Sequence, residues 1–216
     1  MRQLTSAALL GLAPIVPVVV LDDAADAVAL AEALVAGGLP VIEVTLRTPA
    51  GLDAIAAIAD KVPDAVVGAG TVNTAGLVRQ SVDAGAQFLV SPGSTDSLLD
   101  AMSGSDLAFL PGVATASEVM RLLERGITEM KFFPAEASGG TTFLRSMASP
   151  LPQARFCPTG GITPTSAASY LEVPNVGCIG GTWLTPHDAI ASGDWNRIEE
   201  LARQARTGAQ QSWSKR

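Results

Sequence analysis

Short apolar strands alternate with amphipathic helices along this chain of 216 residues, which predicts an α/β fold: a single-domain (β/α)8 barrel with a short N-terminal helix. Three observations carry that prediction. The strand-like runs, such as Val16 to Leu21, are apolar without interruption, as in a parallel sheet covered on both faces. A weak repeat of helix end, Gly and short apolar strand recurs at Gly38-Val41, Gly85-Phe88 and Gly126-Met130. Finally, no Gly-x-Gly-x-x-Gly follows the first strand, where the turn is Asp22-Asp23, and this disfavours a doubly wound open sheet.

The elements follow in order. Thr5 to Leu12 reads as a leading helix, capped by Thr5 or Ser6 and stopped at Pro14. After the strand Val16 to Leu21, a helix runs from Asp22 to Val35 and stops at Gly37-Gly38. Val41 to Thr45 pairs with a helix over Pro49 to Lys61, then Ala65 to Ala69 with Thr74 to Ala84. Phe88 to Ser91 precedes a helix over Thr95 to Ser103, and Ala108 to Leu110 one over Ala116 to Arg125. The stretch Glu129 to Glu136 supplies the sixth strand, followed by a helix over Thr141 to Ala148. Arg155 to Pro158 with Thr165 to Leu171, and Val176 to Ile179 with Trp195 to Arg206, complete the set. Residues 1–207 are thus the barrel, and 208–216 a polar, frayed tail.

Composition removes whole classes of function. A net charge of -7 and the lack of a basic stripe argue against a nucleic-acid binder. The run Ala13 to Leu21 holds Pro14 and Pro17 and is too short to span a membrane, and the N-terminus does not show the basic region and cleavage site expected of a signal peptide. Cys157 and Cys178 sit in strand-like runs as small core residues, which fits a reduced, cytoplasmic protein. His187 is the only histidine and has no metal-ligand spacing, so histidine-based zinc sites and Ser-His-Asp chemistry are excluded. No metal or other cofactor is expected, and catalysis falls to lysine, carboxylates, hydroxyls and backbone.

Lys131 is the conspicuous residue. It interrupts the apolar run Met130-Lys-Phe-Phe-Pro134, and burial of an unpaired lysine favours the neutral, nucleophilic amine. A lysine at a strand edge, reaching out to water, is the alternative. The other lysines, Lys61 at a helix end and Lys215 in the tail, read as solvated charges. Glu43 lies within the second strand and shares a face with Val41 and Thr45. It is either a general acid/base near Lys131 or the ion-pair partner of Arg47. Arg47 at that strand's end suits a substrate carboxylate, and Thr71 closes the Gly-rich turn Gly68-Ala-Gly-Thr71. Pro158-Thr-Gly-Gly161 and Gly180-Gly-Thr182 follow the last two strands, where barrels commonly hold phosphate on backbone N–H groups. Tight turns that need positive φ would also explain the glycines.

Several of these segments resemble the 2-keto-3-deoxy-6-phosphogluconate (KDPG) aldolase / 4-hydroxy-2-oxoglutarate aldolase family. They are Val41-Ile-Glu-Val-Thr-Leu-Arg-Thr48, Val67-Gly-Ala-Gly-Thr71, Phe88-Leu-Val-Ser-Pro-Gly93, Met130-Lys-Phe-Phe-Pro-Ala-Glu136, Phe156-Cys-Pro-Thr-Gly-Gly-Ile162 and Cys178-Ile-Gly-Gly-Thr-Trp-Leu184. The likeness runs from about Pro14 to Arg206. It implies a TIM barrel, a homotrimer, and reversible cleavage of a phosphorylated keto acid to pyruvate and glyceraldehyde 3-phosphate in the Entner–Doudoroff pathway. By the resemblance, Lys131 forms the Schiff base and Glu43 shuttles protons. Arg47 and Thr71 hold the pyruvyl carboxylate, Pro92, Phe133 and Thr159 contact substrate, and Gly160, Gly161, Gly181 and Thr182 hold the phosphate. Where many relatives have Gly-Gly-Ser, this chain has Thr182, which keeps the hydroxyl. Relatives acting on the galactonate epimer typically carry asparagine at the position of Arg47. A sugar-phosphate epimerase on the same barrel and a non-catalytic phosphosugar-binding protein are the rival readings, and imine trapping separates them.

Overall fold

The computed structural model describes residues 4–213. Ser6–Leu9 forms a short helix (α1), with the Thr5 hydroxyl accepting from the Ala8 N–H. The parallel strands are β1 (Ile15–Val19), β2 (Val41–Thr45), β3 (Val66–Gly70), β4 (Phe88–Val90) and β5 (Ala108–Leu110). They continue with β6 (Gly112–Val113), β7 (Glu129–Phe132), β8 (Arg155–Pro158) and β9 (Ile179–Gly181). The main helices between them are α2 (Ala27–Ala36), α3 (Gly51–Lys61), α4 (Ala75–Asp83), α5 (Asp96–Ser103), α6 (Ala116–Glu124), α7 (Gly140–Met147) and α8 (Ala167–Leu171). Two more, α9 (His187–Ser192) and α10 (Trp195–Trp213), follow the last strand.

Six strands pair in the order β5-β4-β3-β2-β1-β9 and three in the order β6-β7-β8, and every pairing is parallel. The sheets curl towards one another. β5 and β6 are separated only by Pro111, which cannot donate to a ladder. On the other side, a bridge between Thr159 and Gly180 joins the end of β8 to β9. All strands being parallel, their C-terminal ends lie on one face of the molecule. That geometry decides where side chains from distant sequence positions can meet.

The repeat read from the sequence has a physical basis. Gly38, Gly85 and Gly126 have φ of +86°, +85° and +73°. After each, the next N–H reaches back five residues: Leu39 to Leu34, Ala86 to Ser81 and Ile127 to Leu122. This closure ends α2, α4 and α6 in a left-handed residue that only glycine adopts cheaply, and aims the chain into the next strand. Thr74, Thr95 and Thr115 cap the starts of α4, α5 and α6 with their hydroxyls.

Some boundaries differ from expectation. The helix expected from Asp22 begins as a 3-10 turn over Ala24–Asp26, capped by Asp23, and becomes α-helical at Ala27. The last strand is Ile179–Gly181 rather than Val176 to Ile179, so Gly180 and Gly181 lie in a strand, not in a turn after one. Glycine is required there by proximity: a Cβ on Gly180 would sit 2.2 Å from the Thr159 hydroxyl. The closing helix does not end at Arg206 but continues to Trp213. Its end is held by the Trp213 indole donating to the Gly177 carbonyl at 2.9 Å, so 208–213 is no frayed tail. Residues 214–216 lie outside the described residues. Two elements, β6 and α9, were not anticipated.

Candidate active site

Lys131 and Glu43 meet inside the curled sheet. Alternation along β7 sends Met130 and Phe132 to the helix-covered face, where Phe132 stacks on Phe143 of α7 with ring centroids 4.9 Å apart. Lys131, between them, faces the other way. Its Nζ donates to Glu43 Oε1 at 3.1 Å, with both side chains 3% exposed. It also lies 5.1 Å from the centroid of the half-buried Phe133 ring. Lys131 is therefore not at an exposed edge. The alternative pairing of Glu43 with Arg47 is not present among the described residues.

Room for this pair comes from glycines. A Cβ on Gly70 would fall 2.2 Å from Glu43 Oε1, and one on Gly68 2.5 Å from the Phe88 ring. Gly68 and Gly70 are therefore not in the turn expected from the sequence but at the end of β3, where the missing side chains let the Glu43 side chain lie over the strand's backbone. Arg47, exposed beyond β2, donates through Nε to the Thr71 hydroxyl at 3.3 Å. Thr71 has φ +60°, a left-handed conformation that a β-branched residue adopts only at a cost. The two predicted carboxylate-binding groups therefore stand side by side at the ends of adjacent strands.

The other predicted residues lie on the same face. Pro92 follows β4 and is exposed, with its carbonyl packed on Gly112. Thr159, buried, follows β8. Gly160 and Gly161 have φ of +102° and +79°, and among the described residues nothing accepts from the Gly161 N–H. Consecutive positive-φ glycines present backbone amides to an incoming anion. Gly181 ends β9 and Thr182 is exposed just beyond it, brought beside the β8 turn by the Thr159–Gly180 bridge. By contrast, a cavity of about 630 Å³ lined by Leu10, Glu129, Arg155 and Trp213 lies at the opposite ends of the strands.

Sequence reasoning missed one contact on this face. Tyr170, the only tyrosine of the chain, donates its hydroxyl to Glu136 Oε1 at 2.6 Å. Burial and that carboxylate push the phenol well above its usual range, so it remains a donor. Glu136 lies in the quoted Lys131 motif, so the residue was in view; the partner, 34 positions away, was not.

A buried lysine and glutamate in contact, on the face where an arginine, hydroxyls and backbone amides follow the C-terminal ends of parallel strands, are the groups that an enzyme working through an amine nucleophile would require. The family model "KDPG and KHG aldolase" matches residues 7–201, and the chain belongs to that family of carbon–carbon lyases. The 2-dehydro-3-deoxy-phosphogluconate aldolase of Pseudoalteromonas atlantica is 54% identical, over 91% of each chain. The KHG/KDPG aldolase of Escherichia coli K12 is 51% identical over 91% of this chain and 92% of its own. Among solved structures, KDPG aldolase from Legionella pneumophila, with pyruvate captured at low pH as a covalent carbinolamine intermediate, superposes with a TM-score of 0.92 at 44% identity. It covers 94% of this chain and 98% of its own.

Proposed function

We propose that this chain is a class I aldolase that reversibly cleaves KDPG to pyruvate and glyceraldehyde 3-phosphate, the Entner–Doudoroff reaction, on a closed eight-stranded barrel. The observation that carries the reading is the buried contact of Lys131 Nζ with Glu43 Oε1 at 3.1 Å. The Lys131 amine attacks the C2 ketone to give a carbinolamine, and Glu43 delivers the proton with which water leaves. The resulting iminium is the electron sink. A base takes the C4 hydroxyl proton, the C3–C4 bond breaks, and its electron pair becomes the enamine of pyruvate while glyceraldehyde 3-phosphate departs. Protonation at C3 and hydrolysis release pyruvate and the free amine. Glu43, within reach of the nitrogen, is suited to these transfers.

Arg47 and Thr71 hold the pyruvyl carboxylate, while Pro92, Phe133 and Thr159 wall the channel. Gly160, Gly161, Gly181 and Thr182 receive the phosphate. Binding at both ends aligns the scissile bond between them. Arg47 favours the gluconate-type substrate over its galactonate epimer, and 4-hydroxy-2-oxoglutarate, which shares the pyruvyl half, is a side substrate. The enzyme needs no metal or other cofactor, because the iminium supplies the electron sink. It acts in the cytoplasm as a homotrimer, without nucleic-acid or membrane partners. Among the described residues, no helix is long and apolar enough to cross a membrane.

Borohydride reduction in the presence of pyruvate tests the central claim: peptide mapping should find the adduct on Lys131. An unmodified protein, or an adduct elsewhere, removes the Schiff base and leaves the epimerase or binding-protein reading. Glu43→Gln should lower turnover by roughly 10²–10⁴ while trapping remains detectable. Unchanged turnover would return Glu43 to a purely structural role.

A further inference from the structure

The loop leaving β8 leans on the segment that follows Lys131, and the lean converges on one residue, Glu136. The Ala135 and Glu136 N–H groups donate to the carbonyls of Thr159 and Gly160 at 2.8 and 3.1 Å. A Cβ on Gly161 would lie 2.7 Å from both Cβ and Cγ of Glu136, so the Gly161 backbone rests against the glutamate's methylenes. The carboxylate head is held elsewhere. Oε1 accepts from the Tyr170 hydroxyl of α8, and Oε2 lies 3.8 Å from where a Cβ on Gly140 would stand. Glu136 is exposed, whereas the Tyr170 side chain is buried at 1%. A fixed, buried donor thus restrains a carboxylate that could otherwise swing freely beside the Gly160–Gly161 turn.

We propose that Tyr170 and Glu136 form a positioning pair for the phosphate half of the substrate. The glutamate's methylenes brace the Gly160–Gly161 turn, and the tyrosine keeps its charge turned away from the anion bound there. Neither residue touches the reacting atoms. The inference rests on the reading, given above, that this turn receives the phosphate. Its physical core is electrostatic: an unrestrained carboxylate near a phosphate repels it, and a hydrogen bond from a buried phenol holds that charge in one place. The sole tyrosine therefore sets affinity for the phosphorylated end alone, leaving imine formation at Lys131 untouched.

The test is condensation of pyruvate with glyceraldehyde 3-phosphate or with unphosphorylated glyceraldehyde. Tyr170→Phe should raise KM for glyceraldehyde 3-phosphate about tenfold, the equivalent of one hydrogen bond to a charged group. The KM values for pyruvate and glyceraldehyde, and the borohydride trapping of pyruvate, should stay within about twofold. Adding Glu136→Gln to that variant removes the freed charge and should restore most of the lost affinity, which a merely structural role would not do. Glu136→Asp, an exposed change that shortens the reach to Tyr170, should reproduce the rise without disturbing the core. An unchanged KM for glyceraldehyde 3-phosphate, an equal rise with both acceptors, or a rise that Glu136→Gln does not relieve would overturn the proposal. If the unaltered enzyme does not prefer the phosphorylated acceptor, the phosphate reading itself fails and takes the pair with it. With that preference intact, an unchanged KM in Tyr170→Phe sinks the pair alone.

Discussion

Lys131 and Glu43 are buried against each other, so the energetic role of either residue depends on the other. Removing the lysine leaves a carboxylate in a low-dielectric site without its partner. Lys131→Met should therefore destabilise the protein by roughly 3 kcal/mol or more. Lys131→Met/Glu43→Gln should recover much of that loss while remaining inactive. Denaturant titration of the single and double variants measures the difference; equal stabilities would mean that the pair is not coupled. Tyr170 yields a second prediction at this scale. Its folded phenol titrates above the unfolded value, so its contribution is fully present below about pH 10 and lost as pH rises through the folded value. The stability advantage of the parent over Tyr170→Phe should hold up to about pH 10 and shrink as pH rises further. A constant gap from neutral pH to above 11 would show that the phenol does not titrate with unfolding.

At the scale of elements, β2 and β7 each do two jobs: one face packs into the apolar core and the other carries Glu43 or Lys131. On β7, Phe132 anchors the outer face against α7 and thereby aims Lys131 inward. On β3, Gly68 and Gly70 provide space rather than contacts. Gly70→Ala should keep the fold but push Glu43 off Lys131, because the new Cβ would meet Oε1 at 2.2 Å. A displacement of about 1 Å at a reacting group costs on the order of 10² in turnover. Steady-state kinetics beside a circular dichroism spectrum would decide this, and full activity would mean that Glu43 has another productive position. The Thr5 cap and the glycine closures at Gly38, Gly85 and Gly126 were legible in the sequence because such signals are local. The end of α10 was not, since the Trp213–Gly177 bond that secures it joins residues 36 positions apart.

The whole molecule is built on curled parallel sheets covered by helices, with small residues where the helices approach closely. α10 packs along α2, where a Cβ on Gly37 would stand 2.4 Å from that of Ala202. Removing residues 208–216 deletes the last turns of α10, the buried Ala209 and the Trp213 indole bond. The loss should be about 1–2 kcal/mol of stability, visible as a lower Tm, with turnover preserved because the site lies at the other ends of the strands. A large drop in kcat would show that the two ends of the strands are coupled.

The sequence by itself determined the alternating α/β order, the residue types expected at the site and the Gly160–Gly161 turn, because periodicity, caps and glycine closures act over a few residues. It also carried the family's motifs, which pointed to Lys131 and Glu43. Only the tertiary structure decided which charges meet. Lys131 pairs with Glu43 across 88 positions, Arg47 turns to Thr71, and Tyr170 reaches Glu136. It also placed Gly180 and Gly181 within a strand, since the approach of Thr159 that requires glycine there is invisible to local pattern. Partner choice depends on strand register and on the space left by glycines, which are properties of the folded sheet and not of any one segment.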